Sequence, residues 1–296
     1  MGKSRSYKTG PAFRTALEER LAQIARRESI DLQRLRRQVA FDRFLVRLAN
    51  APQSPWVLKG GYAMELRYRK ARSTKDLDFT MRSAPPALPA ADPILELVRE
   101  AAAADLGDFF TFRIEKATSD LEGAPYGGSR YPVEAVLGGR SFARFHLDIG
   151  VGDLVMEPAE RMQCRDWLGF ANIPPAAALL ISPEQQFSEK LHAYTLPRPV
   201  TPNSRVRDLV DMLLLIESEA LSMEKTKDAL AGTFGRRGTH PIPDALQPPS
   251  KDWEKPFSVL AAECQLDTDL DLAFKRVDTF YRSLQKSKSP QGDRQR

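Results

Sequence analysis

Hydrophobic residues recur at helical spacing near both ends of the chain and at strand spacing in its middle. The N-terminal periodicity predicts helices over residues 12–28 and 31–49, with Asp31 as the N-cap of the second. Short apolar or alternating runs predict strands at 56–58, 76–79, 109–114, 131–137 and 143–151. Further helices are expected at 62–68, 94–104, from 183, from 205, and at 221–234, 253–264 and 270–284.

This order of elements predicts an α+β fold. We expect residues 1–50 to form helices packed on a core, residues 51–165 to form that core, and residues 166–296 to form a C-terminal helical domain. The proline-rich stretch 83–93 is expected to be a turn-rich linker, and the polar, basic residues 286–296 are expected to fray.

Composition narrows the class of protein. The 296 residues are 42% hydrophobic and 28% charged, with 44 Lys and Arg against 39 Asp and Glu, an ordinary globular balance that permits a nucleic-acid partner. Two cysteines and three histidines, all far apart, argue against a disulfide framework or a zinc cluster. No apolar run is long enough to span a membrane, and residues 1–5 lack a signal-peptide core, so we expect a cytoplasmic protein with no membrane partner.

The first two predicted helices are rich in arginine. We expect this run to be a solvated face, and the alternative is that it grips an RNA backbone. The arginines expected on the outward faces are Arg26, Arg27, Arg34, Arg36, Arg37, Arg43 and Arg47.

Residues 56–79 carry the main candidate chemistry. The pair Gly60-Gly61 predicts a tight turn between a buried strand and a helix, where free backbone N–H groups favour a phosphate. Strand alternation places Asp76 and Asp78 on one face. Adjacent carboxylates repel unless a cation lies between them, and Mg²⁺ suits such ligands. Each feature alone is common in ordinary structure, but their succession favours a nucleotide site.

The succession Gly-Gly, helix, basic loop, Asp-hydrophobic-Asp resembles motif I of the polymerase-β-like nucleotidyltransferase superfamily. The fuller strings at 58–61 and 74–78 resemble the AbiEii/AbiGii toxin family and its MenT-type tRNA-modifying members, over roughly residues 40–215. The resemblance implies a polymerase-β-like core, a mixed sheet flanked by helices, with a helical C-terminal domain. It assigns nucleotide binding to Lys59, Gly60, Gly61 and Thr74.

Later residues extend the resemblance. Asp148, alone among apolar neighbours on a predicted strand, corresponds to the third carboxylate, which with Asp76 and Asp78 would bind metal and also act as base; Asp153 is the alternative. Lys190 resembles the lysine of the family's next motif and would contact nucleotide phosphate.

The final motif of the family resembles residues 205–212. Asp208 is the favoured site residue there, and Asp211, on the same helix face, is kept as a nucleotide-binding candidate. The other interpretation is a capping and salt-bridge pair at the start of a helix.

The implied function is a toxin of a toxin–antitoxin system, silenced by a separately encoded antitoxin. It would use two Mg²⁺ ions and a nucleoside triphosphate to add nucleotides, pyrimidines in this family, to the 3′ end of tRNA and so block aminoacylation. Two alternatives stay open: a nucleotidyltransferase acting on an antibiotic or a protein, and a non-catalytic RNA-binding module.

Overall fold

The computed structural model describes residues 7–51, 54–82, 92–121, 123–219 and 221–286. Residues 83–91 of the predicted linker and residues 287–296 of the predicted tail lie outside these described ranges. The chain forms two compact units. The sheet unit is Met1–Arg67 with Ser73–Ile181, and the helical unit is Tyr68–Arg72 with Ser182–Arg296.

The sheet unit is built on one mixed sheet of eight strands in the described residues. Along the sheet the order is β3-β5-β6-β2-β1-β8-β7, and β4 pairs with β5. The pairs β2–β6 and β1–β8 are parallel, and the other pairs are antiparallel. The strands are β1 (Trp56–Lys59), β2 (Asp76–Met81), β3 (Phe110–Ile114), β4 (Ser119–Asp120), β5 (Gly128–Leu137), β6 (Arg140–Val151), β7 (Glu160–Gln163) and β8 (Ala177–Leu180).

Helices α1 (Gly10–Glu28), α2 (Leu32–Asn50), α3 (Gly60–Arg67) and α4 (Pro93–Ala102) complete the sheet unit. Asp31 caps α2 as predicted, because its carboxylate accepts the backbone N–H of Arg34 at 2.8 Å. The apolar stripe of α2 packs against β6 and β8. The apolar face of the sheet is thereby buried, and polar residues that alternate with it along β2 and β6 lie on the opposite face.

The helical unit contains α5 (Pro183–Thr195), α6 (Val206–Glu217), α7 (Met223–Arg237), α8 (Glu254–Glu263) and α9 (Leu270–Lys286). Ser182 caps α5 and Pro183 opens it, as the sequence predicts. The α5 stripe of Phe187, Leu191 and Tyr194 is buried, and α5 packs against α6 and α7. None of the described helices combines the length and apolar character needed to cross a bilayer.

The α+β class and the mixed sheet flanked by helices agree with the expected fold. The boundary of the helical part differs. The expected domain starts at residue 166, whereas the long segment of the helical unit begins at Ser182. The reason is β8, a strand of only four residues that was not predicted, which pairs with β1 and so belongs to the sheet. Helix α3 begins at Gly60, two residues before the expected start at Tyr62.

The arginine-rich face of α2 requires a correction. Arg43 and Arg47, predicted to face outward, are buried. Both bind the carboxylate of Asp108, at 2.7 Å and 2.8 Å, and Arg47 also donates to the carbonyl of Phe110. A buried charge is tolerated when it is paired and hydrogen-bonded, and the partner Asp108 lies 61 residues beyond Arg47 in the chain.

Candidate active site

Four charged residues from four neighbouring strands lie in one row across the polar face of the sheet. Lys59 on β1 is opposite Asp78 on β2, Asp78 is opposite Asp148 on β6, and Asp148 is opposite Arg130 on β5. Residues directly opposite each other on paired strands project to the same face. The row therefore places two carboxylates side by side, with a cation at each end.

Asp76 and His146 form the next row on the same face. They are directly opposite each other on β2 and β6, and His146 Nδ1 lies 3.1 Å from an oxygen of Asp76. The expected alternation holds, since Leu77 and Phe79 are buried on the other face. The three predicted metal ligands, Asp76, Asp78 and Asp148, are thus brought together on adjacent parallel strands.

Arg130 binds one of these carboxylates directly and lies near a second. Its Nε and Nη2 donate to the two oxygens of Asp148 at 2.7 Å and 2.6 Å, and Nη2 lies 3.9 Å from Asp76. The hydrogen bond to Asp148 raises the pKa of Arg130, outweighing the effect of its partial burial. Within the described residues, no three acidic, imidazole or thiol side chains converge closely enough to hold an ion in this arrangement.

The glycine pair controls how closely the chain approaches Asp78. Gly60 has a φ of +67°, and a Cβ built on it would lie 2.0 Å from Asp78 Oδ2. A Cβ on Gly61 would lie 2.8 Å from the side chain of Thr74. Residues with side chains fit neither position without displacing their neighbours, so these glycines allow the start of α3 to contact β2 and the loop before it.

Thr74 and Glu65 fix the loop that leads into β2. The Thr74 backbone N–H donates to Glu65 at 2.7 Å, and the Thr74 hydroxyl donates to the carbonyl of Asp76 at 3.3 Å. Glu65 also accepts from Arg34 and Gln38 on α2. Thr74, a predicted nucleotide-binding residue, therefore has local bonds that orient Asp76.

Lys59 and Asp153 form an ion pair at the other end of the row. Asp153 was the alternative to Asp148 for the third carboxylate, and it follows the end of β6. Asp148, rather than Asp153, is in register with Asp78. Lys59 stays a predicted nucleotide-binding residue.

A groove of about 760 Å³ opens beside Asp76 on the sheet unit. Among the described residues, its lining combines three acidic side chains, Asp76, Glu115 and Glu134, with five basic ones. These are Arg37, Lys75, Arg130, Arg144 and His146. The basic side chains of this groove can contact a polyanionic substrate, and Asp76 connects the groove to the carboxylate cluster.

Lys190, Asp208 and Asp211 form a separate cluster within the helical unit. Lys190 Nζ lies 2.9 Å from a carboxylate oxygen of Asp208 and 2.9 Å from one of Asp211, and Arg72 binds Asp211 through two hydrogen bonds. Burial alone would raise the pKa of Asp211, but the charges of Lys190 and Arg72 lower it overall. The sequence left Asp208 and Asp211 as alternatives; both contact Lys190.

Arg130 and His146 were not assigned to the site from the sequence. The predicted strand 131–137 began one residue after Arg130. In addition, β6 contains an irregularity in its pairing with β5 that alternation does not reveal. Pairing shifts by one residue between Ala135 and Val136, which places Arg130 opposite Asp148. A regular hairpin continued from Leu137 and Arg140 would have paired Arg130 with Leu147. The period-2 position of His146 relative to Asp148 was the available signal for the histidine.

Comparison with one solved structure supports the fold. The chain is similar to MenT4, described as the nucleotidyltransferase toxin Rv2826c from Mycobacterium tuberculosis H37Rv, with 19% identity, a TM-score of 0.56, and coverage of 92% of this chain and 99% of that one. JHP933 from Helicobacter pylori matches with 20% identity, a TM-score of 0.44, and coverage of 86% and 97%. No curated protein matches.

The family comparison extends over most of the sequence. The sequence model described as "Nucleotidyl transferase AbiEii toxin, Type IV TA system" matches residues 43–283, from α2 in the sheet unit to α9 in the helical unit. This range includes the glycine pair, the three predicted metal ligands and the Lys190 cluster. The chain belongs to the AbiEii family of nucleotidyltransferase toxins of type IV toxin–antitoxin systems.

Proposed function

We propose that this toxin transfers nucleotides, pyrimidines by resemblance to its family, from a nucleoside triphosphate to the 3′ end of tRNA in a Mg²⁺-dependent reaction. Extension of the 3′ end would prevent aminoacylation and stop translation in the cytoplasm. The observation that carries this proposal is the register of β2 and β6, in which Asp78 is directly opposite Asp148 and Asp76 lies on the same face.

The carboxylates fit a hard divalent cation. All three proposed ligands are aspartates, and like charges on adjacent strands are costly without a cation to compensate them. Asp76, Asp78 and Asp148 would hold the Mg²⁺ ions, which when bound neutralise charge at the triphosphate and at the attacking oxygen.

The chain's own residues would bind and orient the two substrates. The Gly60-Gly61 turn and Lys59 would hold the triphosphate. By resemblance to the family, Lys190 would contact nucleotide phosphate, and Asp208 and Asp211 would orient that lysine. Asp148 would accept the proton of the terminal hydroxyl of the acceptor. The oxygen then bonds to the α-phosphorus, the bond between that phosphorus and the β-phosphate oxygen breaks, and pyrophosphate leaves.

The acceptor proposal is supported by the basic side chains that line the groove beside Asp76. Each phosphate of a nucleic-acid backbone that contacts a cation adds salt-dependent affinity. Lys75 lies in the loop before β2, and Arg37 on α2 donates to the carbonyl of Thr74 in the same loop. Both side chains line the groove. A single-stranded 3′ end is the part of a tRNA that can enter such a groove.

The proposal is tested by incubating the protein with total tRNA, Mg²⁺ and each labelled nucleoside triphosphate in turn. Asp78→Asn removes a proposed ligand with little change in shape. Asp120→Asn, at an exposed residue on β4, makes the same change of charge at an aspartate that is not a proposed ligand. tRNA whose terminal ribose has been oxidised with periodate lacks the attacking hydroxyl and serves as the acceptor control.

We expect label on intact tRNA with the unmodified protein and with Asp120→Asn, and none with Asp78→Asn or with oxidised tRNA. The labelled triphosphate that gives product identifies the nucleotide. Label on oxidised tRNA would exclude the 3′ end as the acceptor. No label on any RNA, with label on an added aminoglycoside or on protein, would replace the tRNA proposal by transfer to those acceptors.

The family description implies an antitoxin. We propose that it is a separately encoded protein that suppresses the toxicity of this chain. Co-expression of the neighbouring reading frame should restore growth to cells that express the toxin, and should have no effect in cells that express Asp78→Asn, which are expected to grow without it.

A further inference from the structure

We propose that Arg130 is an internal counter-ion that competes with the metal for Asp148 and so sets the metal affinity of the site. Because Asp76, Asp78 and Asp148 are the metal ligands of the proposed function, this role of Arg130 rests on that function. It predicts that metal binding requires the Arg130–Asp148 pair to break.

The contact between Arg130 and Asp148 involves both oxygens of that carboxylate. Two guanidinium N–H groups donate in parallel to its two oxygens, at 2.7 Å and 2.6 Å. Such bidentate pairs are the strong form of the arginine–carboxylate interaction. Mg²⁺ binds oxygen at about 2.0–2.1 Å and carries the same sign of charge as the guanidinium. The ion and Arg130 therefore compete for the oxygens of Asp148.

Arg130 also compensates the neighbouring carboxylate. Its Nη2 lies 3.9 Å from Asp76, and Asp78 is opposite Asp148 on the adjacent strand. Without a cation, three carboxylates on one face of the sheet would repel one another. Arg130 thus supplies part of the compensating charge when no metal is bound, and Lys59, opposite Asp78, is the cation at the other end of the row.

The groove beside Asp76 can accommodate the side chain of Arg130 when the pair breaks. The Arg130 side chain is 36% exposed, whereas the Asp148 side chain is 10% exposed, and Arg130 lines the groove beside Asp76. Water or a phosphate in the groove can solvate the released guanidinium, so displacement does not leave a buried unpaired charge.

Two opposite effects distinguish this role from a structural one. If Arg130 competes with metal, removing it lowers the stability of the metal-free protein but raises the affinity for metal. If Arg130 only holds Asp148 in place for the metal, removing it lowers both the stability and the affinity.

Arg130→Gln is the test variant, and Arg144→Gln is its matched control. Arg144 is on β6, lines the same groove and is paired with Glu134 at 2.9 Å, so its replacement removes the same charge without touching the aspartates. Mn²⁺ serves as the probe, with its affinity measured by calorimetry and by the electron paramagnetic resonance of the free ion. Thermal unfolding is recorded in EDTA and in excess Mn²⁺.

In Arg130→Gln we expect the dissociation constant for Mn²⁺ to fall about tenfold, or about 1.4 kcal/mol. The unfolding temperature in EDTA should fall by about 2–4 °C, and its rise on adding Mn²⁺ should exceed that of the unmodified protein. In Arg144→Gln we expect changes in Mn²⁺ affinity of less than about twofold.

Unchanged or weaker Mn²⁺ binding by Arg130→Gln, with binding by the unmodified protein intact, would overturn the competition while leaving the proposed metal site standing. An equal gain in affinity in Arg144→Gln would also overturn it, because a general change in charge would then explain the effect. Absence of Mn²⁺ binding in all three proteins would refute the metal site itself, and the role of Arg130 with it.

Discussion

Gly60 determines how close the backbone comes to a proposed metal ligand. Its φ of +67° is in the left-handed region, and the carboxylate of Asp78 occupies the place where a Cβ would be. The effect of left-handed backbone and the effect of the close approach to Asp78 can be separated experimentally. The hairpin between β5 and β6 contains a glycine with left-handed backbone but without a close neighbour. Gly139 has a φ of +79°, and a Cβ there would meet nothing within 4 Å.

We predict that Gly60→Ala and Gly139→Ala each lower the free energy of unfolding by about 1–2 kcal/mol, the cost of left-handed backbone at alanine. Only Gly60→Ala should also reduce nucleotide transfer, by about 100-fold, because Asp78 must move. Urea denaturation and the tRNA labelling assay measure the two effects. Equal loss of transfer in both variants would mean that strain, rather than displacement of Asp78, is responsible.

Asp42 is a buried carboxylate whose ionisation should affect folding. It accepts the Tyr62 hydroxyl at 2.5 Å and the Trp167 indole N–H at 2.7 Å. Burial raises the pKa of Asp42 from 3.8 to about 6, and hydrogen bonds from Tyr62, Cys164 and Trp167 only partly oppose this. The folded protein thus retains a proton on Asp42 between about pH 4 and pH 6, where the unfolded chain has lost it.

The contribution of Asp42 to stability is therefore largest below about pH 4 and falls as the pH rises to about 6, above which it is constant. The fall should be about 3 kcal/mol, which is two pKa units. Comparison of urea denaturation across this range with Asp42→Asn isolates the effect, since the variant lacks the titrating group. Parallel pH profiles for the two proteins would contradict the prediction.

At the scale of elements, α2 and the start of β3 are joined by the buried cluster of Arg43, Arg47 and Asp108. The two arginines outweigh burial and lower the pKa of Asp108, which keeps it charged. Asp108 also accepts the backbone N–H of Phe110 at 3.0 Å, so it shapes the chain entering β3 as well as neutralising α2.

Asp108→Asn should lower the free energy of unfolding by about 3–5 kcal/mol, because it leaves two buried guanidinium groups without their anion. Glu18→Gln breaks a pair with Arg36 that is about one-fifth exposed on both sides, and it should cost less than about 1 kcal/mol. Chemical denaturation of both variants gives the comparison. A cost for Asp108→Asn no greater than that for Glu18→Gln would show that the buried cluster adds little to stability.

The elements themselves were largely predictable from the sequence, for a local reason. Alternation along β2 and β6 and helical spacing in α1, α2 and α5 record which side chains face a core. The burial of Arg43 and Arg47 was not predictable, because it depends on Asp108, whose proximity in space follows from the fold. The short strands β4, β7 and β8 gave no clear pattern, since two to four residues show little periodicity.

At the scale of the whole molecule, the family assignment depends on residues spread over both units, and the family match covers both. The glycine pair and the Asp-Leu-Asp string could be recognised because they are contiguous in sequence. Arg130 could not, because its position opposite Asp148 depends on a one-residue shift in strand pairing. Lys190 and its two aspartates were identified by resemblance, and their mutual contacts became known only from the structure.

Lys190 has two separable roles, one observed and one proposed. In the helical unit it neutralises Asp208 and Asp211, and the proposed function adds contact with nucleotide phosphate. Lys190→Met removes both roles, whereas Lys190→Met combined with Asp208→Asn also removes one of the anions that the lysine compensates. Arg72 remains to pair with Asp211 in the double variant.

We predict that Lys190→Met lowers the free energy of unfolding by about 3–5 kcal/mol, because it uncovers buried negative charge, and that the double variant recovers at least about half of this loss. Nucleoside triphosphate affinity should be reduced about tenfold in both variants, since the phosphate contact is missing from each, and should be retained in Asp208→Asn alone. Thermal unfolding and equilibrium binding of a labelled triphosphate measure the two properties. If affinity recovers together with stability in the double variant, Lys190 has only the structural role, and the phosphate contact must come from other residues.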